Sequence, residues 1–254
     1  MNIFDTPEFR FAAPYRDGKL LVTSKSSNSL VFADRGGEAV GGLMGDFAQP
    51  DGIAYDEASG RVYVVDRYHH CVKVFDEKIV MESVIGNELI LNQPVGIALD
   101  GNRIYVADNE NHRVAVFDKE GNLVDSIGSG YGSGYGEMFC PCGVAIYNGL
   151  LIVAEWGGGR VQIFKDGNEI LIKEGFPHAH DVKVDKDGVV HVAVYSAKQV
   201  RSFKILGIDG EVVTTGEEKT IQLDVEPTSL FIQPDDGKLG IVTRTKLIRV
   251  LANV

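Results

Sequence analysis

The sequence repeats itself. Tyr105 to Asp118 reads YVADNENHRVAVFD and Tyr63 to Asp76 reads YVVDRYHHCVKVFD: an apolar run ending in Asp, a polar interval, then an alternating run closing on Phe-Asp. Aligned on that closing aromatic, Phe32, Phe75, Phe117, Phe164 and Phe203 fall 39 to 47 residues apart, with Val250 in a sixth copy. A second register runs through Pro7, Pro50, Pro94, Pro141, Ala179 and Pro227. From each of these the next apolar run ends 14 or 16 residues on, at Thr23, Asp66, Asp108, Glu155, Tyr195 and Thr243. Six copies fill the 254 residues.

Each copy holds four strand-like segments. In the second they are DGIAYD, RVYVVD, CVKVFD and IVMESVIG, and the tight connections between such segments carry Asp-Gly, Lys-Asp-Gly and Asp-Lys-Asp-Gly, which is turn chemistry. Four strands in about 40 residues is the pattern of a propeller blade. Segments such as VYVV and LLIVA are apolar on both faces, so a lone sheet cannot cover them and neighbouring blades must. The expected fold is therefore all-β: one domain over 1–254, a six-bladed β-propeller of four-stranded blades. The blades fall at 7–49, 50–92, 93–139, 140–176, 177–225 and 226–254, the last completed by Met1 to Asp5 as its fourth strand. The polar residues Asn109 to Arg113 form the loop between second and third strands, where Asp66, Asp108 and Glu155 are expected to tie the backbone amides of their own loops.

QPDGIAYD, QPVGIALD and CPCGVAIY, together with DNENHRVAVF, DRYHHCVKVF and EWGGGRVQIF, resemble the two halves of the NHL repeat. The match is close in copies two to four and degenerate in the others. The resemblance implies the propeller fold and a family that includes RNA binders, protein binders, sensors and enzymes. A more distant likeness is to the propellers of peptidyl-hydroxyglycine amidating lyases. It implies a zinc at the channel mouth held by three histidines at blade starts, with His180 in one such place and Asp51, Val95 and Cys142 departing from it. Arg67 matches that family's arginine after a blade-core Asp. Gluconolactonase-like propellers use a glutamate near the first blade start, which Glu8 matches, with Asn and Asp ligands that the ring of blade starts does not complete.

A net charge of −11 disfavours nonspecific binding to nucleic acid or anionic lipid, both of which need positive charge. No apolar run approaches the roughly 18 residues a membrane helix needs, and MNIFDTPEF lacks the basic and apolar parts of a secretion signal. Cys71, Cys140 and Cys142 are an odd set, and Cys-Pro-Cys closes only an awkward disulfide ring. The expectation is a reduced, cytoplasmic monomer.

In a blade, the loops between strands two and three and those between blades emerge on one face, the top. Fifteen of the 36 acids fall on the lower turns, Asp56 and Asp187 among them. The top carries Lys25, Arg67, His69, His70, His112, Arg113, Trp156, Arg160, Lys198, Arg244 and Lys246, with Gly157 to Gly159 beside Trp156 leaving space above the blade. Such polarity steers an anionic partner to the top, where Arg67, Tyr68 and Trp156 are of types enriched in binding hot spots. Glu8, Asp51, Val95, Cys142, His180 and Thr228 follow the blade anchors and should ring the channel. The reading is a non-enzymatic module, without cofactor, that binds a protein or a polar, anionic ligand through Arg67, Tyr68, His69, His112, Trp156, Arg244, Asp51, Cys142 and His180. The alternative is a metal-dependent lyase or hydrolase, with a divalent ion such as zinc at Asp51, Cys142 and His180, because His178-Ala-His180 and Cys140-Pro-Cys142 each point two donors one way.

Overall fold

The structure, a computed structural model, describes residues 8–34, 36–209 and 212–249. The first sheet is β1 (Phe9–Pro14), β2 (Leu20–Ser24), β3 (Ser29–Ala33) and β4 (Ala39–Met44); the second is β5 (Pro50–Asp56), β6 (Arg61–Asp66), β7 (Cys71–Phe75) and β8 (Met81–Ile85). The third is β9 (Ile97–Asp100), β10 (Arg103–Asp108), β11 (Arg113–Asp118) and β12 (Leu123–Ile127); the fourth is β13 (Pro141–Tyr147), β14 (Leu150–Glu155), β15 (Arg160–Lys165) and β16 (Asn168–Glu174). The fifth comprises β17 (Ala179–Val184), β18 (Val189–Val194), β19 (Gln199–Asp209), β20 (Val212–Thr215) and β21 (Lys219–Gln222); the last comprises β22 (Pro227–Ile232), β23 (Leu239–Thr243) and β24 (Leu247–Arg249). All pairings within these sheets are antiparallel between strands consecutive in sequence, except that β21 returns to β19.

This corrects the expectation of six four-stranded blades. Five blades are complete, and the last sheet has three strands among the described residues. The fifth blade departs from four strands as well, because β19 is 11 residues long and carries β20 along one part and β21 along another. The expected closing segment Met1 to Asp5 and the aromatic-equivalent Val250 both lie outside the described residues.

The innermost strands β1, β5, β9, β13, β17 and β22 pack each on the next, and β22 packs back on β1. A separate apolar cluster fills each junction between sheets. Tyr63, Val74, Ile104 and Phe117 join the second to the third, Val144, Val153, Val114 and Val116 join the third to the fourth, and Phe9, Val22, Phe231 and Val242 join the first to the last. This is how strands that are apolar on both faces are covered. The Pro-x-Gly starts have a physical cause in this crowding. A Cβ on Gly52 would lie 2.4 Å from the Val95 carbonyl oxygen, and one on Gly96 would lie 2.2 Å from that of Cys142. Adjacent inner strands approach too closely there for any side chain.

The Asn-His-Arg loop, Asn111 to Arg113 in the third blade, also becomes explicable. Asn28, His70, His112 and Lys198 each adopt positive φ immediately before a third strand, and Asn and His are among the residues that tolerate that conformation best. Among the described residues no helix is long and apolar enough to cross a membrane.

Candidate functional site

A hollow of about 460 Å3 opens at the upper mouth of the channel. Its walls combine four cations, Arg10, Lys25, Arg67 and Arg244, with two carboxylates, Glu8 and Glu110, and with Trp156, His180 and Tyr195. A chain of net charge −11 thus presents a locally cationic cup, the arrangement that focuses an anion into a concave site.

Asp51 sits behind this wall, its side chain 2% exposed, 2.7 Å from Arg10 Nε and 3.5 Å from Arg67 Nη1. Burial works against the charge on Arg10, yet Asp51 outweighs it and raises the guanidinium's affinity for its proton. Arg67 Nη2 donates to Gln93 Oε1 at 3.2 Å, which holds the guanidinium in place. Its Nε is buried without a hydrogen-bond partner. Arg244 pairs with Glu8 at 2.5 Å, and the Phe9 amide donates to the Arg244 carbonyl at 2.9 Å, so this contact stitches the last sheet to the first beside the hollow.

His180 is buried and its Nδ1 has no partner. Burial, reinforced by the charges of Arg10 and Arg67, holds the imidazole well below its ordinary value; it is neutral at pH 7. Trp156 presents its edge to His180, with ring centres 5.6 Å apart, and packs on His178 at 4.6 Å and Tyr195 at 5.2 Å. Cys142 is buried, and burial pushes its thiol up to about 12. It is therefore an uncharged wall residue and not a thiolate.

The hollow gathers Arg67, Trp156, Arg244, Cys142 and His180, with Asp51 as their support. The other expected binding residues sit elsewhere. Tyr68 is exposed, beneath the Arg67 guanidinium at 5.8 Å. His69 is tied to Asp66 at 2.8 Å, and the ring of His112 packs on Tyr131 at 5.1 Å, while its Nδ1 accepts the Cys140 amide at 3.2 Å. Arg160 is buried, its guanidinium engaged by Glu155 at 2.9 Å and by the carbonyls of Ser133 and Glu137. Phe139 packs against Gly157, where a Cβ would lie 2.7 Å from that ring. His178 lies in a turn at φ 53 and binds Ser196, while His180 is in β17, so the two histidines flank Trp156 instead of converging. Among the described residues no three His, Cys, Asp or Glu side chains come together as metal donors. Arg10, absent from the expected set, was within reach of the i, i+2 rule from Glu8.

The second-strand acids need a correction too. Asp66, Asp108 and Glu155 accept the amides of Ala48, Asn92 and Phe139 at 2.7 to 2.8 Å. Those amides belong to the loop entering the blade, and not to the acid's own loop; the second carboxylate oxygen of Asp66 and of Asp108 holds the own-loop side chains His69 and Asn111. These residues fasten the inter-blade loops that frame the hollow. On the lower face, Asp34, Asp76, Asp118 and Asp185 each accept two amides of their own turn, which is the ordinary work of Asp in turns.

The NHL repeat profile matches residues 47–75 and 91–117. No curated protein sequence matches the chain. Similar solved structures include a streptogramin B lyase, 14% identical with TM-score 0.69 over 95% of this chain and 92% of that one. A gluconolactonase from Xanthomonas campestris is 14% identical with TM-score 0.74 over 96% and 86%. A chain of a nidogen/laminin complex is 15% identical with TM-score 0.70 over 89% and 85%. At such identities the likeness establishes the fold: the chain is a β-propeller, with NHL-type repeats at residues 47–75 and 91–117.

Proposed function

We propose that this NHL-type propeller is a binding module whose upper channel mouth receives an anionic group, carried by a protein partner or by a small polar molecule. The observation that carries the reading is the convergence of Arg10, Lys25, Arg67 and Arg244 on one hollow. The volume of about 460 Å3 suits a small molecule or one or two residues of a peptide, since ligand pockets run from about 300 to 1,000 Å3. Trp156 supplies the apolar wall. The nidogen/laminin neighbour lends general support to partner binding on this fold.

Calorimetric titration with citrate and with an Asp/Glu-rich peptide tests the reading. Binding is expected to one site per chain, to weaken in Arg67→Ala and Trp156→Ala, and to be indifferent to Asp187→Asn. Binding that persists in both upper variants and fails in Asp187→Asn would overturn it.

A further inference from the structure

Corresponding cross-strand pairs can be compared between blades. The pair next to the closing aromatic is Val22 with Val31 in the first, Tyr63 with Val74 in the second, Tyr105 with Val116 in the third and Ile152 with Ile163 in the fourth. In the fifth it is His191 with Ser202. Both are as buried as their counterparts, 3% and 2% exposed. Replacing an apolar pair by a buried polar one brings little net stability, so packing alone does not account for the exchange.

The two side chains form a chain of contacts with a third. Ser202 Oγ lies 2.8 Å from His191 Nδ1, and His191 Nε2 lies 3.4 Å from Asp185 Oδ2. Asp185 is itself anchored, because its Oδ1 accepts the amides of Asp187 and Val189, each at 2.9 Å. Burial lowers the His191 imidazole below its ordinary value while Asp185 opposes the shift, so at pH 7 the ring is neutral and carries one N–H. An ionised carboxylate only accepts. The proton therefore sits on Nε2, Nδ1 accepts, and the Ser202 hydroxyl donates to it. That is the polarity in which a histidine acts as general base toward a serine and an acid fixes its tautomer. His191 and Ser202 line a cleft of about 560 Å3 between the fifth and last sheets, whose wall also includes Lys204, Lys219 and Lys238.

We propose that Asp185, His191 and Ser202 form a second site, a serine nucleophile for acyl transfer from small carboxylic esters, in the cleft between the fifth and last sheets. Ser202 Oγ bonds to the ester carbonyl carbon as its proton passes to His191 Nδ1. The C–O bond to the alcohol breaks and the leaving alkoxide takes that proton. Water then attacks the acyl-serine and gives a proton to His191, and the acid departs as Ser202 regains it. Of the wall lysines, Lys238 is paired with Asp236 and Lys186 with Asp187, and Lys204 and Lys219, beside Glu217 in the same wall, are the cations that would oppose the negative charge developing on the carbonyl oxygen.

The test is labelling of the full chain with a fluorophosphonate, read by intact mass and peptide mapping, alongside release of nitrophenolate from p-nitrophenyl acetate. One adduct is expected on Ser202, formed with loss of fluoride, absent in Ser202→Ala and slowed at least tenfold in His191→Val. Both variants move the pair toward the apolar type of the other blades, so thermal melts should show them folded. Glu82→Gln, on the outer strand β8 of the second blade, should label at the unaltered rate. A folded protein that gives no adduct on Ser202, or an adduct rate indifferent to His191→Val, would overturn the proposal.

Discussion

The two mouths of the channel are built by the same inner strands and differ in chemistry. At the top the walls hold Arg10, Arg67, Arg244 and Glu8, supported by Asp51. At the bottom a hollow of about 270 Å3 is lined by Ala12, Ile53, Ile97, Val144 and Phe231, among others, with Lys183 its one charged lining residue. The strands alternate, and their C-terminal halves turn small or branched apolar side chains toward the axis. Their N-terminal ends carry the Arg10 guanidinium and the His180 imidazole into the upper hollow. The same scaffold therefore offers a mouth stabilised by desolvation and a mouth held by charge pairing.

The largest expected effect comes from breaking the upper pairing. Asp51→Ala would leave Arg10 and Arg67 without their buried counter-charge, and denaturant unfolding should show a loss of about 3–5 kcal/mol. At the lower mouth, Ile97→Ala should cost about 2–4 kcal/mol through lost burial and a cavity, with no dependence on salt, since no charge is involved. If Asp51→Ala proves the milder of the two, the upper mouth is not held by charge pairing.

Acid should also distinguish the mouths. His180 and His191 are lowered from a value of 6.5 by burial, so below about pH 6.5 the unfolded chain takes up protons that the native state refuses. Stability then falls with pH by up to about 1.4 kcal/mol per unit for each histidine. His180→Met should reduce that slope, as read from melting temperature between pH 6.5 and 5, whereas Ile97→Ala should leave it unaltered. An unchanged slope in His180→Met would show that His180 is not held neutral by burial.

Smaller effects concern binding. Arg67→Ala should weaken binding of the acidic peptide by about 1 kcal/mol or more, as expected of a hot spot, with a larger share lost at low salt. Asp187→Asn, exposed on the lower face, should alter binding by less than about 0.5 kcal/mol. Equal effects from these two would remove the distinction between the faces.

By itself the sequence determined the blade. The 39-to-47-residue period, four strands per copy and turn residues at fixed places follow from local rules, because strand alternation and turn chemistry are properties of neighbouring residues. Local signals also placed the histidine of Asn-His-Arg before a third strand and the glycine of Pro-x-Gly at an inner strand, although the reason for that glycine, a carbonyl on the next blade that any Cβ would strike, is not local. Only the tertiary structure decided the rest. It gave β19 two outer partners and left the last sheet with three strands among the described residues. It moved the amides held by Asp66, Asp108 and Glu155 to loops 16 to 18 residues upstream, buried Arg160, closed Gly157 against Phe139, and set Asp51 behind Arg10 and Arg67. His191 and Ser202 are 11 residues apart in sequence, and nothing in their neighbours marks them as partners. A hydrogen bond across strands depends on register and on which neighbouring blade covers the face, and register is fixed when the sheets pack and not when the strands form.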